Sequence, residues 1–391
     1  MIGGGGASIR QAALERGENP MEIFNHFHPL HNLGFKVIRP TVTGSGCGTF
    51  NECERKYFFE ERMGLRKKGE MTPEYFLVGE MVHEAMRVYS LGKGDSAAAL
   101  AVSVIGGREI DDCTIGGVLP PGVLEHVDRC TQKSLAMAIF FRDVLKKYGE
   151  MFDGEKHEVL GAEVRITAKA TFEKGIGRSS AATIGGQLDL VTRERATGEV
   201  TLHDYKQTGG KPLDRAKTVK LEKQPWMYRL LWECLEGVKA TKFKHYILKR
   251  PTIRQHKPSK SKPEGETFQE YVERMKLWYL DEQQKGNNPL VISTYVYPTE
   301  GYPSWFVEQL RRVAKAGALR PYLRFFPPTG APHRCVERGG ECQFLNICTS
   351  DPVTWVEMIA GKFKRVFRYD EDEEKKGRIG SDYSFDLGAR K

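Results

Sequence analysis

A chain of 391 residues, 40% hydrophobic and 28% charged, carries enough apolar material for a sizeable core and has an ordinary globular composition. No run of eighteen apolar residues occurs, so no membrane-spanning helix is expected, and the start MIGGGGASIRQAALERGENP lacks the apolar stretch of a secretory signal. The net charge of +9 favours a polyanionic partner, and eight cysteines without an export signal point to buried thiols or a metal site rather than disulfides.

Residues 1–40 show little periodicity and read as an N-terminal extension. Phe50, Tyr57 and Phe58 suit a helix over 49–63, with Cys53 in its first turns. The spacing of Phe76, Leu77, Met81, Val82, Ala85, Met86 and Tyr89 predicts a helix over 73–91, with Pro73 just inside its start. Residues 95–153 read as a helical insertion broken at 116–122. Segments 157–172, 182–194 and 199–207 are rich in Val, Ile, Leu and Thr and predict three strands, the last two joined by a tight turn at 196–199. A helix over 222–236 and a strand over 241–249 follow, then an exposed basic loop over 251–266, PTIRQHKPSKSKPEGE. A helix over 267–285, a strand over 290–297 and a helix over 303–317 complete the body. A cysteine-rich loop lies at 335–348, and the C-terminal tail over 351–391 reads as poorly ordered from about residue 364 onward, where charges are mixed. Helices, then a small meander, then helix and strand together predict an α/β core with a helical flank.

The chemistry gathers on the second and third strands. Asp189 stands in IGGQLDLV, and Asp204 in VTLHDYKQT with Lys206 two positions beyond. Residues i and i+2 of a strand face one side, so Asp204 and Lys206 project together, and an antiparallel hairpin can bring Asp189 beside them. Two carboxylates and a lysine at one sheet edge suit Mg²⁺ or Mn²⁺ and the hydrolysis of a phosphodiester. By itself the Asp204–Lys206 pair is also what a surface salt bridge looks like. His83 lies on the 73–91 helix with Gly79 four residues earlier, which leaves room at the imidazole, though a lone helix histidine is commonly structural. Gln224 and Tyr228, at i and i+4, share a face of the following helix, which also suits a core tyrosine beside a surface glutamine.

Taken in order, G-x-x-x-H, G-x-x-x-D, D-Y-K and Q-x-x-x-Y resemble the RecB-type branch of the PD-(D/E)XK nucleases. That branch includes the AddB nuclease domain, CRISPR-associated adaptation nucleases and phage exonucleases. The resemblance spans about residues 43–350, within a nuclease domain taken as 41–350. It implies a restriction-endonuclease-like core, a mixed central sheet flanked by helices. It also implies that His83, Asp189, Asp204 and the Tyr205 carbonyl ligate Mg²⁺ or Mn²⁺. Lys206 becomes the catalytic lysine beside Asp189 and Asp204, and Gln224 and Tyr228 hold DNA or orient that lysine. The basic stretches 211–223 and 251–266 would lie near the DNA path. The implied substrate is DNA, single-stranded or with free ends, and the implied setting is the cytoplasm of a bacterium or phage-infected cell.

Cys335, Cys342 and Cys348 are separated by six and then five residues, in a loop with Gly339 and Gly340. Three such thiols can converge on one centre that needs a fourth ligand. Several nucleases of this branch resemble the chain here, with a cysteine before an aromatic–basic helix and three after the core. The resemblance implies a [4Fe–4S] cluster on Cys53, Cys335, Cys342 and Cys348, with Cys47 the alternative to Cys53. Structural zinc is the rival, although its usual short C-x₂₋₄-C spacing is missing. Cys113, Cys130 and Cys234 read as buried thiols.

The expected function is therefore a metal-dependent deoxyribonuclease, an exonuclease by its Gln/Tyr motif. The alternatives are a catalytically silent nucleic-acid-binding protein of the same fold, a zinc-stabilised nuclease, or a redox-responsive protein. No G-x-x-x-x-G-K-[ST] signature occurs, so any helicase or recombination partner would be a separate chain.

Overall fold

The computed structural model describes residues 41–42, 49–50, 52–62, 65–67, 69–147, 154–173, 180–218, 222–258, 263–319, 336–337, 340–349, 358, 361–365, 378–379 and 383–386. The N-terminal extension, Cys47, Cys335, residues 259–262 of the basic loop and most of the tail lie outside them. The first half comprises β1 (Thr41–Val42), α1 (Glu54–Tyr57) with a π-helical turn at Phe58–Arg62, β2 (Leu65–Lys67), α2 (Glu74–Ser90), α3 (Asp95–Cys113) and α4 (Val123–Lys147). Then come β3 (His157–Glu173), β4 (Ser180–Glu194), β5 (Val200–Thr208), α5 (Pro212–Thr218), α6 (Lys223–Glu236) and β6 (Lys242–Lys249). The body ends with α7 (Phe268–Gln284), β7 (Leu290–Val296) and α8 (Ser304–Leu319). Short elements follow: β8 (Val336–Glu337), β9 (Gly340–Glu341), α9 (Leu345–Thr349), β10 (Phe363–Arg365), β11 (Arg378–Ile379) and β12 (Tyr383–Asp386). None of the described helices is long and apolar enough to cross a membrane.

The chain divides into two compact units, one built from Gly48–Lys67 and Leu319–Glu371, the other from Thr41–Cys47, Lys68–Ala318 and Asp372–Lys391. In the larger unit, five strands form a mixed sheet of order β3-β4-β5-β6-β7. Neighbours are antiparallel except β5 and β6, which run parallel with Asp204 opposite His245. That parallel step needs a crossover, supplied by α5 and α6. The short β1 joins β4, and β11 and β12 join β3 in parallel. The tail read as poorly ordered therefore contributes strands at 378–379 and 383–386, where the segment YSFD alternates polar and aromatic residues.

The expected 73–91 helix is α2, but Pro73 caps it from outside with extended ψ rather than occupying its first turn. The helix buries Leu77, Val78, Met81, Val82, Ala85 and Met86 in one core with Val102 of α3, Phe141 of α4, Tyr205 of β5, Tyr246 of β6 and Tyr279 of α7. Its entry is fastened by the insertion, whose two described helices, α3 and α4, flank the expected break at 116–122. Thr72 donates through N and Oγ1 to the Glu109 carboxylate at 2.6 and 2.7 Å, and Lys133 pairs with Glu74 at 2.9 Å. On α6, the buried Arg229 stacks on Tyr297 and donates to the Pro298 carbonyl at 2.8 Å, while Tyr297 donates to the Pro225 carbonyl at 2.6 Å. At Gly186 an added Cβ would meet Leu231 Cδ1 at 2.8 Å, so the glycine lets α6 close on β4. Cys113, Cys130 and Cys234 are buried as expected, and burial pushes the Cys130 thiol up to about 12.

His203 is buried between Thr192 Oγ1 at 2.8 Å and the Tyr246 hydroxyl at 3.0 Å. Burial, then Lys244 and His157, push its pKa down to about 3. The unfolded chain therefore takes up this proton first, so stability is intact above about pH 6.5 and falls progressively toward pH 3. The expected loss is up to about 1.4 kcal/mol per pH unit in that window. Urea melts of wild type and His203→Gln between pH 7 and pH 4.5 check this, with the shallower pH dependence expected of the variant.

In the smaller unit, the helix expected over 49–63 is α1 followed by the π-helical turn. Cys53 caps α1, its Sγ accepting from Lys56 N at 3.4 Å. Phe59 packs on Phe344, with ring centroids 5.3 Å apart, and Phe344 stacks on Phe363. β2 and β10 pair antiparallel. The cysteine loop carries a short helix, with Leu345 N donating to the Cys342 carbonyl at 2.8 Å and Cys348 N to the Phe344 carbonyl at 2.9 Å.

Candidate active site

Three elements of the larger unit place side chains at one point. α2 presents His83, whose Nδ1 lies 3.3 Å from Asp189 Oδ2 on β4 and 3.4 Å from Glu163 Oε1 on β3. One ligand atom from each of these three residues falls within 4.8 Å of the others, the one such His/Cys/Asp/Glu group among the described residues. Gly79, one turn before His83, would meet nothing within 4 Å if it carried a Cβ, so the expected opening on that helix face is present.

Glu163 is absent from the set predicted by sequence. It follows a bulge between Val159 and Gly161, and its φ of 50° lies in the left-handed region that a side chain rarely adopts. Such backbone strain gathers at functional sites. Gln187 donates to Glu163 Oε2 and accepts from Arg165 at 3.0 Å, which fixes the carboxylate and leaves Oε1 buried without a hydrogen bond.

Asp204 is reached from the other side. The β4–β5 register runs from Arg193↔Val200 to Leu190↔His203, and beyond it Asp189 Oδ2 accepts the Tyr205 amide at 2.8 Å. Asp204 Oδ1 accepts from Lys206 Nζ at 2.8 Å and Gln224 Nε2 at 3.0 Å. Gln224 also donates to the Tyr228 hydroxyl. The expected residues gather as two neighbouring groups, His83 and Asp189 with Glu163, and Asp204 with Lys206 and Gln224. Tyr205 contributes its amide to that network.

His245 is a second residue that sequence reasoning missed. It is buried, and its Nε2 lies 3.0 Å from Asp204 Oδ2, an ion-pair distance without the alignment of a hydrogen bond.

Burial would raise the Asp204 pKa, but Lys206 and His245 outweigh it and hold the carboxyl well below the usual range. Asp189 shifts upward, mainly because it is buried, with Asp204 adding repulsion against the opposing pull of His83. Lys206 is raised: burial opposes its charge, but Asp204 and Asp189 more than compensate, so it stays protonated at neutral pH. Burial, then the Asp189 and Asp204 charges, keep Tyr228 neutral.

The donor set fits a divalent cation. Two carboxylates and an imidazole converge, and the buried Glu163 Oε1 has no hydrogen-bond partner. A protonated lysine and a third carboxylate, Asp204, stand next to them, the elements that metal-assisted hydrolysis requires.

A family model described as the PD-(D/E)XK nuclease superfamily matches residues 41–349. No curated protein matches the chain. The match covers the mixed sheet, its flanking helices and every residue of the site just described, and the chain belongs to the PD-(D/E)XK nuclease superfamily, whose members are in general hydrolases that use divalent metals.

Proposed function

We propose that this protein is a metal-dependent DNA exonuclease of the RecB-type branch that carries a structural [4Fe–4S] cluster. The convergence of His83, Glu163 and Asp189 beside the Asp204–Lys206 pair carries the nuclease reading. His83, Glu163 and Asp189 would hold the cation, with Asp204 and the Tyr205 carbonyl completing its surroundings. When bound, the cation polarises the scissile phosphate and lowers the pKa of water. Lys206 stays charged and stabilises the negative charge that develops on the phosphate oxygens. Gln224 and His245 hold Asp204 in place. Tyr228 lends its neutral hydroxyl to Gln224 or to a DNA phosphate.

The cluster is proposed on Cys53, Cys335, Cys342 and Cys348. In support, Cys53, Cys342 and Cys348 belong to one compact unit assembled from the two ends of the nuclease core. Cys335 lies outside the described residues.

Anaerobically purified protein, Mn²⁺ and two DNA forms test the activity. Linear end-labelled DNA should be degraded from its ends while covalently closed circles survive. Equal cleavage of both would replace the exonuclease with an endonuclease. Binding without cleavage in any divalent metal would favour a silent nucleic-acid-binding protein.

The proposed ligand set has its own consequence. Glu163→Gln and His83→Ala should each raise the Mn²⁺ concentration for half-maximal cleavage at least about tenfold, because each removes a donor from a small set. Unchanged metal dependence in Glu163→Gln would return that residue to strand packing.

A further inference from the structure

Two aromatic side chains stand in solvent on α2. Tyr75 is 49% exposed and Phe76 is 60% exposed, with ring centroids 4.3 Å apart. The same helix buries its other large apolar residues, so core packing does not explain them. Their position is not arbitrary. At 100° per residue, Phe76, Gly79 and His83 form one stripe along the helix, with Tyr75 at its edge. Gly79 leaves that stripe open between the aromatics and the candidate metal ligand. The helical rise separates Phe76 from His83 by about 10 Å along the helix axis.

The ground beside the aromatics is cationic. The Arg250 guanidinium lies over the Tyr75 ring, 5.4 Å from its centroid, and Arg250 also borders Gly209, just beyond the strand that carries Lys206. Arg254 is close enough to Glu74 to lower that carboxyl further, after Lys133 and Arg129, against the opposing effect of burial. Exposed rings beside guanidinium groups, at a fixed distance from a phosphodiester-cleaving centre, match how proteins hold unpaired nucleotides: bases stack on the rings and cations take the phosphates.

We infer that Tyr75 and Phe76 form a stacking platform for the unpaired bases of the DNA strand entering the site, with Arg250 on its phosphates. This rests on the nuclease reading for its substrate and names the state in which that substrate arrives, as a single strand. It requires no chemistry from the platform itself.

The test is equilibrium binding of the full chain, in EDTA, to fluorescein-labelled oligo(dT) and to an abasic oligonucleotide of the same length. Wild type should prefer the base-bearing strand. Tyr75→Ala/Phe76→Ala should lose about tenfold or more in affinity for oligo(dT), with little change for the abasic strand. Tyr75→Phe/Phe76→Trp should keep the preference, and Arg250→Ala should weaken both strands alike. Both aromatics are exposed, so an unchanged melting temperature is expected and separates the effect from misfolding. If the double alanine variant discriminates like wild type, the platform is wrong, whatever the cleavage activity. If discrimination is lost as expected while no variant or wild type cleaves DNA, the platform stands and the nuclease reading falls.

Discussion

Asp204→Asn and Lys206→Ala should each reduce single-turnover cleavage by about 10³-fold while DNA affinity stays within a few-fold of wild type. The magnitude follows from losing several kcal/mol of charge stabilisation at about 1.36 kcal/mol per tenfold in rate. The contacts explain why neither change should act through folding alone. Asp204 accepts from Lys206 at 2.8 Å and from Gln224 at 3.0 Å; Asp204→Asn keeps the shape and one accepting oxygen, and Lys206→Ala leaves Asp204 its Gln224 donor. Lys206→Ala does leave Asp204 with one cation fewer, so the Asp204→Asn/Lys206→Ala double variant is informative. Its rate should nearly match that of either single variant, because residues of one catalytic unit do not add. Additive losses would place Lys206 outside the catalytic unit.

Cys348→Ala should lower the melting temperature by on the order of 10 °C and abolish a broad visible absorption band near 400 nm of the anaerobically prepared protein. A shared centre on Cys53 and Cys335 would close a loop of about 280 residues, which in the loop-closure picture stabilises by roughly 4–5 kcal/mol. Cluster binding adds to this, since an unfolded chain does not hold four thiolates together. The packing of Phe59, Phe344 and Phe363 shows what the thiolates would reinforce: a small unit whose aromatic core is drawn from distant parts of the sequence. Cleavage should fall only as far as the unit loosens, because the cysteines lie apart from the acidic motifs in sequence. Stoichiometric zinc in place of iron would make the centre a zinc clasp. A variant that loses its metal yet melts like wild type would leave no structural role for it.

Much of the core was legible because its strands announce themselves. Val, Ile, Leu and Thr fill β3, β4 and β5, and the i, i+2 rule places Lys206 beside Asp204, as the 2.8 Å contact shows. Gly79 before His83 and Gln224 before Tyr228 are helix-period relations, equally local. Glu163 was not legible. Its place beside Asp189 depends on the β3–β4 register, and its orientation depends on a bulge and a left-handed φ that no residue type there demands. A signal existed: a carboxylate set among apolar residues after Gly161, one strand before an acidic motif. His245 was harder still. It meets Asp204 through parallel pairing across a helical crossover, which leaves no short-range spacing to read. The strands at 378–379 and 383–386 were hidden by the charged residues around them, although they pair with β3 in the same way.

The most direct test of a cation-dependent hydrolytic site is single-turnover cleavage of end-labelled linear DNA by anaerobically purified wild type and Asp189→Asn across a Mn²⁺ titration. Wild type should show no cleavage in EDTA and a saturable rise with Mn²⁺. Asp189→Asn should remain at least about 10³-fold slower at every concentration, since it weakens both the cation group and the anchor for the Tyr205 amide. Cleavage by wild type in EDTA, or wild-type rates from Asp189→Asn at any Mn²⁺ concentration, would contradict the site described here.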